Sequence, residues 1–284
     1  MKKIALFAID FQNDFLDYSI DSLPHTKDAQ GNWVPLYQPA LAVGGGIQDV
    51  TRFTDWALAN ISRFSRLFFT QDSHHYLDIA HPEWWQDAAG NTPPPFTMIT
   101  YSDVQSGKWV PRRFYQKSVA YVKALEDGGE FIHTIWPPHC LMGTWGHNFH
   151  PKIYDLIIAA EKRGIWPNII TKGSNPFTEH FGAFRANVPD PNDPSTNIDH
   201  MVLNSLQSND EVIVVGEARS HCVANSLRQL MQEVPSLAPK LTIFTDCMSD
   251  VPNLPATFYA EVQKIYDDAK ALGVKFSTTS TYQF

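Results

Sequence analysis

Short strand-like runs alternate with longer segments of helical apolar spacing, and this alternation constrains the fold more than any other feature of the sequence. The runs rich in β-branched and aromatic residues are 4–9, 67–70, 131–133, 169–171, 212–215, 241–245 and 275–277. The helical segments are 47–64, 149–162, 218–233 and 256–272. Strands followed by helices of this length predict right-handed βαβ units and a mostly parallel sheet with helices on both faces.

Two long segments, 17–46 and 81–113, interrupt this alternation. The first is polar and rich in glycine and proline, and the second is crowded with tryptophan and proline. Loops of this length inside a compact domain are commonly lids or interaction elements. Because no repeat, low-complexity tract or linker divides the sequence, we predict one α/β domain over residues 1–284.

The charge distribution narrows the class of ligand. The chain has a formal net charge of −8, and its 22 lysines and arginines are scattered rather than gathered into a basic stripe. Nucleic acid and anionic membrane are therefore poor candidates as partners. We expect a small-molecule ligand, and a homo-oligomer remains possible.

The sequence does not have the features of an exported or membrane-anchored chain. The apolar run 4–9 ends at Asp10 and is shorter than the ~7–15 residues of a signal-peptide core. No segment approaches the ~20 apolar residues of a membrane span. The three cysteines, Cys140, Cys222 and Cys247, are odd in number and far apart, which does not suggest a disulfide framework. We expect a reducing, cytoplasmic location.

Three reactive side chains occur at predicted strand ends, which is where an open parallel sheet places its sites. Asp10 ends the first strand, Lys172 follows the run 169–171, and Cys222 follows the run 212–215 after a short turn. Taken singly, an acid there is more often a cap or turn residue, and a lysine is more often a solvated surface group. Together, an acid, a cation and a thiol are the usual components of an activated nucleophile.

Cys222 is the strongest member of this group. It lies near the start of the predicted helix 218–233, where unpaired backbone N–H groups and the helix dipole favour a thiolate. The same N–H groups can stabilise an oxyanion. Cys247, in the sequence TDCMSD, is interpreted instead as a small buried hydrophobic residue.

A second group of polar residues lies in QDSHHYLDIAH (71–81) and WPPHC (136–140). Carboxylate-plus-imidazole sets suit zinc, iron or manganese. His75 is as well spaced as its neighbour, and histidines in a loop rich in tryptophan and proline often only pack, so these alternatives stay open. The residues of the possible ligand set are Asp72, His74, His81 and His139.

The order of these motifs resembles that of the isochorismatase-like cysteine hydrolases. The matching segments, in chain order, are IDFQNDF, QDSHH with a later His, WPPHC with GTWG, TKG with FGAF, and GEARSHC. The resemblance runs from Ile9 to about Val251, and the possible metal ligands resemble those of the nicotinamidase branch. It implies a Rossmann-like three-layer sandwich, with a six-stranded, mostly parallel sheet and helices on both faces.

The resemblance also implies roles for individual residues. The catalytic residues would be Asp10, Lys172 and Cys222. The backbone N–H groups of Ala218 and Cys222 would form an oxyanion hole, with a cis peptide before Ala218. Phe15 and Trp136 would sandwich the pyridine ring of a substrate. The metal ligands would be Asp72, His74, His81 and His139, with zinc expected before iron or manganese.

Three departures from the family pattern bear on the substrate. The long loops lengthen the chain, Glu217 stands where Ile or Val is common, and Ser220 stands where Asp is common. We expect a metal-containing cysteine amidase that hydrolyses nicotinamide or a related small amide through a thioester. The alternatives are another amide or ureido hydrolase and a non-catalytic ligand-binding protein, and the intact catalytic residues argue against the last.

Overall fold

The computed structural model describes residues 2–284, which form twelve strands and seven α-helices. The strands are β1 (Ile4–Ile9), β2 (His25–Lys27), β3 (Trp33–Pro35), β4 (Phe64–Asp72), β5 (Trp85–Gln86), β6 (Met98–Ile99), β7 (Val110–Pro111), β8 (His133–Thr134), β9 (Asn168–Lys172), β10 (Glu211–Gly216), β11 (Leu241–Phe244) and β12 (Lys275–Ser277). The helices are α1 (Gly46–Ala59), α2 (Tyr101–Gln105), α3 (Tyr115–Asp127), α4 (Pro151–Glu161), α5 (His200–Gln207), α6 (Ala224–Glu233) and α7 (Ala256–Ala271).

Six strands form the central sheet in the order β12-β11-β10-β1-β4-β9. Every neighbouring pair is parallel. The central strands β1 and β10 are buried along their whole length, so their side chains can be apolar on both faces. The predicted three-layer α/β sandwich is therefore confirmed, and the sheet is entirely parallel.

Each face of the sheet has its own hydrophobic core. Phe7 and Ile9 of β1 point into the core that α5, α6 and α7 cover, whereas Leu6 and Ala8 point into the core beneath α1 and α4. This alternation follows from the two-residue period of a strand. A third, smaller core joins α3 to the tryptophan-rich segment that precedes it.

Three elements differ from the sequence prediction. The helix predicted over 47–64 ends at Ala59, and Phe64 begins β4. The run 131–133 does not join the central sheet: β8 begins at His133 and pairs only with β6, antiparallel. There His133 Nε2 lies 3.0 Å from the carbonyl oxygen of Ile79, so this segment is bonded to the neighbouring loop and not to a sheet edge. The helix predicted over 218–233 begins at Ala224, because a wide π-type turn, Arg219–Val223, precedes it.

The two long loops contain local structure of their own. Segment 17–46 includes the antiparallel pair β2–β3, and segment 81–113 includes α2, the antiparallel pair β5–β7 and the strand β6. No helix within residues 2–284 is long and apolar enough to span a bilayer. All three cysteines are free and buried.

Candidate active site

The carboxyl ends of β1, β4, β9 and β10 bring the predicted polar residues together. Asp10 directly follows β1, Asp72 and Lys172 are the last residues of β4 and β9, and Cys222 lies in the turn after β10. The ammonium of Lys172 is at the centre of the group: its Nζ lies 2.9 Å from Asp10 Oδ2 and 3.0 Å from Asp72 Oδ1. It also lies 3.8 Å from Cys222 Sγ. All four side chains are buried.

Asp10 is fixed by its neighbour on β4. Thr70 Oγ1 donates a 2.5 Å hydrogen bond to Asp10 Oδ1 and accepts one of 3.0 Å from the Asp10 backbone N–H. Burial raises the pKa of Asp10 above its ordinary value, although the charge of Lys172 and the Thr70 hydrogen bond act in the opposite direction. A carboxylate with a raised pKa is a stronger base than a solvated one.

The other two members of the group respond to burial in different ways. Burial alone would lower the pKa of Lys172, but the carboxylates of Asp10 and Asp72 raise it well above its usual range. Burial raises the pKa of the Cys222 thiol well above its usual range, and the charge of Lys172 opposes this. The lysine therefore stays charged, while the resting thiol keeps its proton.

The turn that carries Cys222 also presents backbone donors. Cys222 lies in the π-type turn Arg219–Val223, and the preceding peptide Glu217–Ala218 is cis, as the sequence resemblance implied. Within residues 2–284, no group accepts a hydrogen bond from the Ala218 backbone N–H. Ala218 and Cys222 line the same cavity. This N–H is therefore free to bind an oxygen atom held beside the thiol.

Three of the four possible metal ligands form a compact group. One ligand atom from each of Asp72, His74 and His139 lies within 4.8 Å of the other two. The Nε2 atoms of His74 and His139 lie 3.2 and 3.6 Å from Asp72 Oδ2. His74 Nδ1 lies 3.1 Å from Asp78 Oδ2, a contact typical of the carboxylates that orient metal-binding histidines.

His81 lies beside this group but is not part of it. Its ring centroid is 5.3 Å from that of His74 and 5.6 Å from that of His139. Its Nδ1 lies 3.2 Å from the Tyr76 carbonyl oxygen, and its buried Nε2 has no hydrogen-bond partner within residues 2–284. Burial lowers the pKa of His81 to about 3, so the ring is neutral. A neutral imidazole with a free nitrogen fits a metal ligand, as a buried orphan nitrogen would otherwise be costly.

His75, which spacing alone could not separate from His74, is exposed. The neighbouring buried group of His74, Asp78 and Glu179 also has ligand-type atoms within 4.8 Å of one another. Because Asp78 already contacts His74 Nδ1, we interpret Asp78 as the support of His74.

Glycines allow these groups to approach closely. Gly173, with φ +82°, directly follows Lys172, and a Cβ there would lie 2.8 Å from Asp72 Oδ1. A Cβ at Gly146, in the GTWG motif, would overlap the Asp14 carboxylate, which accepts a 2.6 Å hydrogen bond from the Cys140 backbone N–H. The glycines of these two motifs are therefore required by packing at the site.

A small cavity lies beside Cys222. Both predicted aromatic residues, Phe15 and Trp136, line it, together with Asp72 and His139. The sequence prediction did not include the other lining residues, which are Leu41, Glu179, Phe181, His221 and Val251. His221, adjacent to the nucleophile candidate, and Phe181, in the FGAF motif, could have been inferred from their neighbours.

For Glu179, the sequence offered no comparable sign that the residue would line the cavity, except that it is an acid in the loop after β9. It is buried, and burial raises its pKa to about 8. Glu217, one of the three departures noted in the sequence, is also buried but does not line this cavity.

Comparison with known proteins finds nicotinamidases that are similar to this chain. The chain is 22% identical to the nicotinamidase of Saccharomyces cerevisiae over 270 residues, which cover 94% of the chain and 95% of that protein. It is 29% identical to the nicotinamidase of Escherichia coli over 113 residues, which cover 40% of the chain and 45% of that protein. The yeast nicotinamidase bound to the inhibitor nicotinaldehyde superposes with a TM-score of 0.60 at 19% identity, covering 97% of this chain and 99% of that one.

The chain has the nicotinamidase fold. It is the fold of the nicotinamidase branch that the sequence motifs resembled. No family model matches the sequence. Both relatives and the superposed structure are nicotinamidases.

Proposed function

We propose that the protein is a metal-containing cysteine amidase that hydrolyses nicotinamide or a related flat heteroaromatic amide to the acid and ammonia. The observation that carries this proposal is the position of Lys172. A buried ammonium that touches two carboxylates and lies 3.8 Å from a thiol beside an aromatic-lined cavity stabilises charge where a nucleophile forms. Neither core packing nor simple ligand binding requires this arrangement.

Each catalytic residue has a defined task in the reaction. Asp10 accepts the proton of the Cys222 thiol, and Lys172 stabilises the thiolate. The sulfur attacks the amide carbonyl carbon, and the N–H groups of Ala218 and Cys222 bind the resulting oxyanion. The C–N bond then breaks as Asp10 returns the proton to the nitrogen, which releases ammonia and leaves a thioester on Cys222.

Hydrolysis of the thioester regenerates the enzyme. Asp10 takes a proton from water, and the hydroxide oxygen attacks the thioester carbonyl carbon. The C–S bond breaks, the acid product leaves, and Asp10 returns the proton to the thiolate. The sum is one amide and one water converted to one acid and one ammonia.

Asp72, His74 and His139 would hold a divalent metal, with His81 as the fourth ligand. One carboxylate and three imidazoles suit zinc first, and iron or manganese also fit this set. When bound, the metal would supply a Lewis acid for a ring nitrogen or a water molecule. The orphan Nε2 of His81 is the feature of this chain that best fits such an ion.

Phe15 and Trp136 support a flat aromatic substrate because both line the cavity that contains Cys222. Offset aromatic contacts contribute about 0.5–1.5 kcal/mol each beyond the burial of area. The runner-up function is another amide or ureido hydrolase, which the carboxyl group of Glu179 in the same cavity favours.

A single domain over residues 1–284, a cytoplasmic location and a homo-oligomer remain predictions.

Ammonia release from a panel of amides tests the proposal. The panel comprises nicotinamide, pyrazinamide, a short aliphatic amide and a ureido compound, each with and without chelator. We expect nicotinamide or pyrazinamide to be the best substrate and chelation to reduce turnover. Trp136→Ala and Phe15→Ala should each lower kcat/KM by about 10-fold or more, because each loses stacking and buried area. Rapid turnover of the aliphatic amide with nicotinamide untouched would favour the runner-up function.

A further inference from the structure

Glu179 places a carboxyl group in the wall of the cavity beside Cys222. Its side chain is buried, yet it lines the same cavity as Cys222 and Trp136. Its Oε1 has no hydrogen-bond partner within residues 2–284. The residue is anchored through its backbone, whose N–H donates to the hydroxyl of Tyr121 at 3.3 Å. Buried polar groups without a partner are rare, and each requires an explanation.

Two basic residues near this carboxyl group, Lys172 and His74, already contact other carboxylates. Lys172 contacts Asp10 and Asp72 at 2.9 and 3.0 Å. His74, which has a ligand-type atom within 4.8 Å of Glu179, contacts Asp72 and Asp78 at 3.2 and 3.1 Å. Because Oε1 of Glu179 lacks a partner within residues 2–284, a molecule bound in the cavity can supply one.

Glu217 provides a useful contrast. It is the other buried glutamate whose Oε1 lacks a partner within residues 2–284. Its Oε2, however, accepts a 3.2 Å hydrogen bond from the Ser249 backbone N–H, and it lies outside the cavity lining. Glu217 thus belongs to a network inside the protein, whereas Glu179 lines the cavity beside Cys222.

We propose that Glu179 is a specificity-determining residue that accepts a hydrogen bond from an N–H, amino or hydroxyl group on the ring of the amide substrate. This inference rests on the proposed amidase function and narrows its substrate class. A carboxyl group has at least one acceptor oxygen in either protonation state. The walls around it include the aromatic side chains of Phe15, Trp136 and Phe181. An analogue that lacks the donor leaves this buried acceptor unpaired, which is the basis of strong discrimination.

Substrate preference measured in matched variants tests this role. The metal-loaded enzyme is assayed with nicotinamide and with its ring-amino and ring-hydroxy derivatives at each free ring position. We expect at least one donor-bearing derivative to exceed nicotinamide in kcat/KM by about 10-fold or more. Glu179→Leu should bring that ratio close to one, and Glu179→Gln should give an intermediate ratio. Glu217→Gln, a buried glutamate outside the cavity lining, should leave the ratio as in the unmodified enzyme.

The outcomes separate this inference from the amidase function. If Glu179→Leu lowers kcat/KM equally for all substrates, the residue acts independently of the ring substituent, for example by holding a metal-bound water, and the inference is wrong. It is also wrong if the unmodified enzyme prefers plain nicotinamide to every derivative. If no amide is hydrolysed, the amidase function fails. Calorimetric binding of the same compounds to Cys222→Ala, with and without Glu179→Leu, then decides the role of Glu179 alone.

Discussion

The proposed catalytic group and the proposed metal-binding group are adjacent but are held in place by different means. Asp10 and Lys172 are in or directly after strands of the central sheet, so the ladder of parallel hydrogen bonds sets their spacing, and Cys222 lies in the π-type turn that follows β10. His74 and His139 lie in loops. Their positions depend on single contacts between distant segments, such as the 3.0 Å hydrogen bond from the His74 N–H to the Cys140 carbonyl oxygen.

Asp72 connects the two groups. It ends β4, and its backbone is clamped by the Gln12 side chain, which donates to the Asp72 carbonyl oxygen at 2.7 Å and accepts from its N–H at 2.6 Å. One carboxylate oxygen contacts Lys172, and the other lies near His74 and His139. The sheet therefore fixes the proposed catalytic group. The proposed metal-binding group depends on its supporting contacts, so it is easier to disrupt without losing the fold.

The largest expected effect is the loss of turnover in Cys222→Ala. Without the nucleophile, kcat should fall by at least about 10⁴-fold, as it does when other nucleophiles are removed. The thermal midpoint should move by only a few degrees, because the change removes one small buried atom. Steady-state ammonia release and a thermal melt check this. Cys247→Ala, which changes another buried free cysteine, should retain turnover. Equal losses in both variants would contradict the assignment.

Lys172→Met should affect stability as well as activity. It leaves the buried Asp10 and Asp72 without their shared cation, and breaking a buried ion pair costs about 3–5 kcal/mol. Urea unfolding gives the free energy of unfolding, and ammonia release gives the activity. Lys264→Met, which removes an exposed pair with Asp268 on α7, should change neither quantity measurably. Unchanged stability in Lys172→Met would mean that the sheet-borne group is not held by its charges.

Metal content should distinguish the two groups most directly. His139→Ala should lose most of the bound metal while keeping the fold, and His81→Ala should lose less, because His81 lies outside the compact group of three ligands. Asp78→Asn should weaken metal affinity by about 10–100-fold through His74. Elemental analysis and titration of the metal-free protein measure these effects. Full metal content in His139→Ala would remove it from the ligand set.

The smallest expected effect is a shift of the pH profile in Thr70→Val. Asp10 must be ionised to accept the thiol proton, so kcat/KM should rise as pH rises through its raised pKa. The Thr70 hydrogen bond lowers that pKa, so its removal should move the acid limb to higher pH. Thr70→Ser keeps a hydroxyl and should retain the original profile. An acid limb that stays in place in Thr70→Val would separate Asp10 from the titration that controls activity.

The amino-acid sequence alone was enough to place the proposed catalytic residues at the ends of sheet strands. Asp10, Lys172 and Cys222 each follow a run whose strand character is local, and parallel strands bring their carboxyl ends to one edge. The pairing of Asp72 with His74 was likewise a matter of spacing, and the ordered motifs added His139, Phe15 and Trp136. All of these residues meet at the site or line its cavity.

Only the tertiary structure decided which loop residues take part. In the structure His75 is exposed, residues 131–133 lie outside the central sheet, and Glu179 lines the cavity. Local spacing carries no information about such contacts, because they join segments far apart in the chain. Asp14 and Cys140, which meet across 126 positions, are an example. A loop side chain is placed by what packs against it, and that becomes defined only once the sheet has brought the loops together.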